Sequence, residues 1–84
     1  KLLDRIKRNS SYYETILITI NDALVGKYLK GNISFLTINS TLIKLLKNPY
    51  FTRYYKSNPK NINDIKFMVE KVITYLNKKK FYDK

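Results

Sequence analysis

Apolar side chains recur along this chain at spacings of three and four. Tyr13, Ile16, Leu17, Ile20, Leu24 and Tyr28 form the longest such series, and on a 3.6-residue repeat they stack on one helical face. The series predicts a helix over residues 12–30. Ser11 is placed to cap it, and Glu14 stands at the third helical position, which completes a capping-box pattern. Thr15, Ile16, Ile18, Thr19 and Ile20 are β-branched, so propensity alone would allow a strand there. The spacing, with no turn residue inside the run, decides for helix. Ile18 lies off the main face, so part of a second side is expected to be buried as well. Gly31 follows the last periodic residue, Leu29, where a left-handed C-cap needs a residue without Cβ.

Three further helices follow from the same pattern. Leu2, Leu3 and Ile6 among charged neighbours predict a short helix over 2–8, broken by Asn9, Ser10 and Ser11. Ile38, Leu42, Leu45 and Leu46 predict one over 38–47, with Thr37 as its cap. Asn48-Pro49 ends it, because a residue before proline is pushed out of the α region. Ile62, Ile65, Met68, Val69, Val72, Ile73 and Leu76 predict a helix over 62–79, with Asn61 as cap and Asp64 near the positive end of its dipole. Periodicity lapses over 48–61, which reads as a loop whose aromatics cover the bundle or meet a partner. The expected fold is all-α, a small four-helix bundle-like domain spanning residues 1–84.

Composition narrows the chemistry. The chain has no cysteine and no histidine. Disulfides, thiolate metal sites and thiol nucleophiles are excluded, as are the commonest general base and metal ligand. Six carboxylates, at Asp4, Glu14, Asp22, Asp64, Glu70 and Asp83, show no paired metal-ligand spacing. No stretch approaches the ~18 apolar residues of a membrane span, and no signal-peptide core opens the chain. Lys1, standing where Met is usual, predicts a piece cut from a longer protein. No catalytic constellation appears.

Charge adds one question. The net charge is +11, and such an excess commonly marks a polyanion-binding surface. Yet Lys, Asn, Ile, Tyr and Phe make 45 of the 84 residues, all with A/T-rich codons, so an AT-rich genome supplies the charge with no polyanion to bind. Two candidate surfaces stand out. Arg53, Tyr54, Tyr55 and Lys56, with Lys78, Lys79 and Lys80 at the end of the last helix, mix basic and aromatic residues as single-strand nucleic-acid surfaces do. The competing reading is a basic loop with core-covering tyrosines and a solvated lysine helix end, which complements the carbonyl pole. Asn21 and Asp22 form either a polar pair contacting a neighbouring domain or a solvent-facing carboxylate that balances lysines.

These residues also resemble the C-terminal helical domain of the 1-deoxy-D-xylulose 5-phosphate reductoisomerase family of isoprenoid biosynthesis. In that family a small-residue turn leads through a tyrosine into a helix with an Asn-Glu pair, followed by Gly-x-Ile-x-Phe-x-Asp-Ile. Here stand Ser11-Tyr12-Tyr13, Asn21-Asp22 and Gly31-Asn32-Ile33-Ser34-Phe35-Leu36-Thr37-Ile38 at matching spacings. The family's proline and capped Asp-Ile turn look like 59–65. Asp22 stands for the usual glutamate, Thr37 for the usual aspartate, and Ile18-Thr19-Ile20 for an Asn-Ala-Ala run, while 49–56 have no counterpart; this is the pattern of a diverged homologue. The resemblance implies an intracellular protein, of the bacterial cytoplasm or a plastid-type organelle. It implies NADPH and a divalent metal for a full-length oxidoreductase, held by domains outside this chain. This sequence has no G-x-G-x-x-G loop, only Gly26 and Gly31, and no family catalytic, cofactor or metal residue maps onto it. The implied role is architectural, with the catalytic domain of the same parent chain as partner. The rival from another class is a free-standing basic helical module binding nucleic acid or a protein.

Overall fold

The computed structural model describes residues 11–78. Among them are four helices: α1 Tyr12–Leu29, α2 Phe35–Leu46, α3 Pro49–Thr52 and α4 Ile62–Asn77. The fold is all-α. The helix expected over 2–8 lies outside the described residues, as do Lys79 and Lys80.

α1 is the centre of the domain, packed against α2 on one side and α4 on the other. Tyr28 at its end meets Phe35 at the start of α2, with ring centroids 5.7 Å apart, so α2 runs back along α1. Gly26 and Lys27 of α1 share a cavity with Leu76 and Asn77 of α4, so these two helices end together and run parallel. Being flanked twice gives α1 a wide buried arc. Ile16, Ile20 and Leu24 are fully buried, and Thr15 and Thr19 are buried with them. Ile18 packs on Ile65 and Val69 of α4, the second buried side that the pattern anticipated. Tyr13 and Tyr28, placed by periodicity on the inner face, are instead 42% and 39% exposed. They sit in the first and last turns, where each meets a neighbouring ring edge-on, Tyr55 and Phe35, and stays partly open to solvent.

A buried hydroxyl costs free energy unless it is bonded, and each threonine finds its own helix. Thr19 Oγ1 donates to the Thr15 carbonyl (2.7 Å) and Thr15 Oγ1 to the Ser11 carbonyl (3.0 Å). Back-bonding of this kind lets small polar residues enter a core without a partner from elsewhere.

The caps explain where the helices begin and stop. Ser11 Oγ accepts from the Glu14 amide (3.1 Å), and the Glu14 carboxylate accepts from the Ser11 amide (3.1 Å), which is the full capping box. α1 ends at Leu29 with Lys30 as C-cap. Gly31 has φ 80°; its amide donates to the Tyr28 carbonyl, and that of Asn32 to Lys27, both at 2.9 Å. This is a Schellman closure, and its left-handed position is where glycine has no steric cost. Asn61 caps α4 through the Asp64 amide (3.1 Å).

The start of α2 departs from the expected one. It begins at Phe35, not Ile38, and its cap is Ser34, not Thr37. Ser34 Oγ accepts from the Thr37 amide (3.3 Å), and the two hydroxyls share a 2.8 Å hydrogen bond. Tertiary packing made the choice. Ile33, just before the cap, is buried, and Ile38 at the fourth helical position joins the same core cluster. This is a hydrophobic staple, and it fixes the chain entry one turn earlier. Leu45 is buried, while Ile38, Leu42 and Leu46 pack partly buried against the core, as their spacing required.

The stretch 48–61 is not a plain loop. Asn48 Oδ1 accepts from the Tyr50 amide (2.8 Å) and Pro49 stands at the first position of α3, where its missing N–H costs nothing. That single turn drives Phe51 into the core at 1% exposure. On α4, Ile65, Met68, Val69, Val72 and Leu76 are buried, Ile62 is half-buried, and Ile73 is 39% exposed rather than inward.

Candidate interaction surfaces

Two regions bring the sequence candidates onto the fold. The first is an aromatic layer under and around α3. Tyr50 stacks on Tyr75 of α4 (4.4 Å, 24°), and Phe51 meets Tyr75 edge-on (5.0 Å). Tyr54 meets Tyr12 edge-on at 6.2 Å, and Tyr55 meets Tyr13 at 4.9 Å. Such pairs add about 0.5–1.5 kcal/mol each beyond their buried area. Polar atoms tie the rings down. Asn48 Nδ2 donates to the Tyr75 hydroxyl (2.9 Å), and the Tyr55 hydroxyl donates to the Leu46 carbonyl (2.7 Å) at the end of α2. Burial, with Tyr13 alongside, pushes the Tyr55 phenol up to about 12. Burial, then the Asp64 carboxylate and Tyr54, also raise that of Tyr12.

Cations lie over this layer. The Arg53 guanidinium stands 4.8 Å from the centre of the Tyr50 ring and 5.1 Å from that of Tyr54, and its Nε donates to the Tyr50 carbonyl (3.2 Å). Lys71 of α4 stands 5.6 Å from Tyr50, 5.9 Å from Tyr54 and 5.7 Å from Phe67. The structure therefore brings Arg53 and Tyr54 together with Lys71, a residue the linear pattern gave no reason to single out. Lys78, exposed at the end of α4, is seven residues beyond Lys71 and thus on the same side of the helix. Lys56 is exposed, and Tyr55 turns to Tyr13 and Leu46. With Tyr75 stacked on it and Arg53 and Lys71 over its ring, Tyr50 has little π-surface left for a base.

The second region lies between α1 and α2. Asn21 lines a cavity of about 260 Å³ there with Phe35, Leu36, Ile38, Asn39 and Leu42. Phe35 is 68% and Leu36 83% exposed. Asp22 is half-buried on α1. The linear pattern does not mark this apolar rim, because with Thr37 as cap both residues fall ahead of the helix. Had Ser34 been taken as cap, Leu36 and Ile43 would have emerged as a solvent-facing pair seven residues apart.

The described residues form a small all-α domain with a basic and aromatic layer on one side. No three of their carboxylates converge as a metal site, and none of their helices is long and apolar enough to cross a membrane. No family model matches the chain, and no solved structure matches it. Over 65 residues, 77% of its length, it is 37% identical to 1-deoxy-D-xylulose 5-phosphate reductoisomerase from Pelagibacter ubique (strain HTCC1062). Those residues span 17% of that relative, so the chain corresponds to a small part of a much longer protein.

Proposed function

We propose that this chain is a diverged C-terminal helical domain of a reductoisomerase-like enzyme of isoprenoid synthesis, one that braces the catalytic domain and is not catalytic alone. The 37% identity across 77% of the chain carries the reading. The fold supports it, because an architectural role needs a rigid core and an outward contact surface rather than a reaction site. In such an enzyme, NADPH and the divalent metal belong to the other domains. The residues described here do not fit either group: they carry no glycine-rich phosphate loop and no convergent ligand set. The enzyme would work inside the cell with this domain covalently attached.

The test is a domain exchange. The matching part of the Pelagibacter enzyme is deleted, or replaced by this chain, and NADPH oxidation is followed with the substrate that its name implies. We expect the deletion to be inactive and the exchange to recover activity. A soluble, folded exchange no more active than the deletion would contradict the proposal.

A further inference from the structure

Arg53 and Lys71 come from different elements and converge on the same two rings. The Arg53 guanidinium stands 4.8 and 5.1 Å from the centres of Tyr50 and Tyr54. The Lys71 ammonium stands 5.6 and 5.9 Å from the same centres. Tyr75 stacks on one face of Tyr50, so both cations share the face that is left. Arg53 is fixed there, because its Nε donates to the Tyr50 carbonyl (3.2 Å). That bond leaves the two terminal amino groups of the guanidinium to donate elsewhere. Lys71 is half-buried, with Phe67 as a third ring at 5.7 Å.

Ring quadrupoles hold cations in place but do not neutralise them. Among the described residues, no carboxylate makes an ion pair with Arg53 or Lys71. Two like charges held side by side repel. One anion bridging them replaces that repulsion with two charge-assisted contacts. A planar fork beside a point charge suits a tetrahedral oxyanion, whose oxygens can meet both at once.

The neighbouring carboxylates limit what such an anion can be. Glu70 is exposed and lines a hollow of about 250 Å³ with Tyr50, Phe67, Lys71 and Thr74. Asp64 stands seven residues before Lys71, on the same side of α4. A strand with a phosphate at every step meets these like charges as it runs along the helix. A single group avoids them.

We propose that Arg53 and Lys71 bind one phosphate group, carried by a small soluble ester or by a lipid headgroup. The Arg53 amino groups donate to two of its oxygens and the Lys71 ammonium to a third, beside the Tyr50 and Tyr54 rings. The site stands on these side chains alone and does not rest on the enzyme reading above.

Amide NMR of the 84-residue protein at constant ionic strength tests it. The probes are inorganic phosphate, methyl phosphate, phosphatidylcholine vesicles with and without phosphatidic acid, and an oligothymidylate. The two free phosphates are expected to shift Arg53, Tyr54 and Lys71 first, with a Kd of about 1 mM. Arg53→Gln and Lys71→Gln should each weaken that binding at least about tenfold, and Lys44→Gln on α2 should leave it unchanged. Circular dichroism confirms that the variants keep their helices. If either glutamine variant does not, Arg53→Lys takes its place; it keeps the charge, loses the fork and should also weaken binding. Vesicle binding that needs both phosphatidic acid and Arg53 assigns the group to a headgroup, and free-phosphate binding without it assigns a soluble ester; either supports the site. No shift at about 50 mM phosphate, shifts spread evenly over the lysines, or undiminished binding by the variants would each overturn the proposal. So would an oligothymidylate held more tightly than the free phosphates at about 200 mM salt, which would mark a nucleic-acid surface instead.

Discussion

The two ends of α1 hold the same kinds of residue and treat them differently. At its start, Tyr12 and Tyr13 meet Tyr54 and Tyr55, and the Tyr55 hydroxyl is bonded to the end of α2. At its finish, the Tyr28 ring meets that of Phe35, itself 68% exposed, beside an 83% exposed Leu36. The difference is what lies above each end. The α3 turn and the chain after it roof Tyr12 at the first end, although Tyr13 stays 42% exposed there, while no described residue roofs Phe35 and Leu36 at the second. An aromatic cluster is thus tied into the fold where the chain returns over it, and left exposed where it does not. Sequence composition cannot tell these apart.

The largest test of the roofed end is Phe51→Ala. Its side chain is fully buried beneath α3, and large-to-small core changes of this type cost about 3–5 kcal/mol. In a domain this small that approaches the whole stability, so urea titration should find the variant largely unfolded without denaturant.

Tyr55→Phe is expected to cost about 1.5 kcal/mol, since it strands the Leu46 carbonyl. It also has a signature in pH. The folded-state value of about 12 lies above the usual value of 10, so the native state holds the proton more tightly than the unfolded chain. That contribution is complete below pH 10 and is lost as pH rises from 10 to 12. Denaturant midpoints across this window should fall for the parent protein and fall less for the phenylalanine variant.

Ser11→Ala removes one half of the capping box and should cost about 1 kcal/mol, read as a small drop in the thermal midpoint with the helical signal retained.

Much of this architecture is local and was legible. Ser11 with Glu14, Asn61, and Gly31 each act within one helical turn, so their residue types sufficed. The start of α2 was not legible, because Ser34 and Thr37 both offer a capping hydroxyl and only tertiary packing, which draws Ile33 and Ile38 onto one core cluster, chooses between them. The burial of Phe51 depended on a single turn launched by Asn48 and Pro49, too short to show a period. Lys71 became part of the basic and aromatic layer only because α4 passes beneath α3. The groove at Asn21 was half legible: the residue was singled out, but its neighbours across the groove were not.

Thermal unfolding of two double variants, followed by circular dichroism, tests the contrast between the ends most directly. Tyr54→Ala with Tyr55→Ala opens the roofed end; Phe35→Ala with Leu36→Ala trims the open one. We expect the first pair to lose cooperative unfolding or drop steeply in midpoint, and the second to stay within about 1 kcal/mol of the parent, as exposed substitutions do. Equal losses, or a larger loss from the Phe35 and Leu36 pair, would contradict the account, because the open end would then be core and the roofed end dispensable.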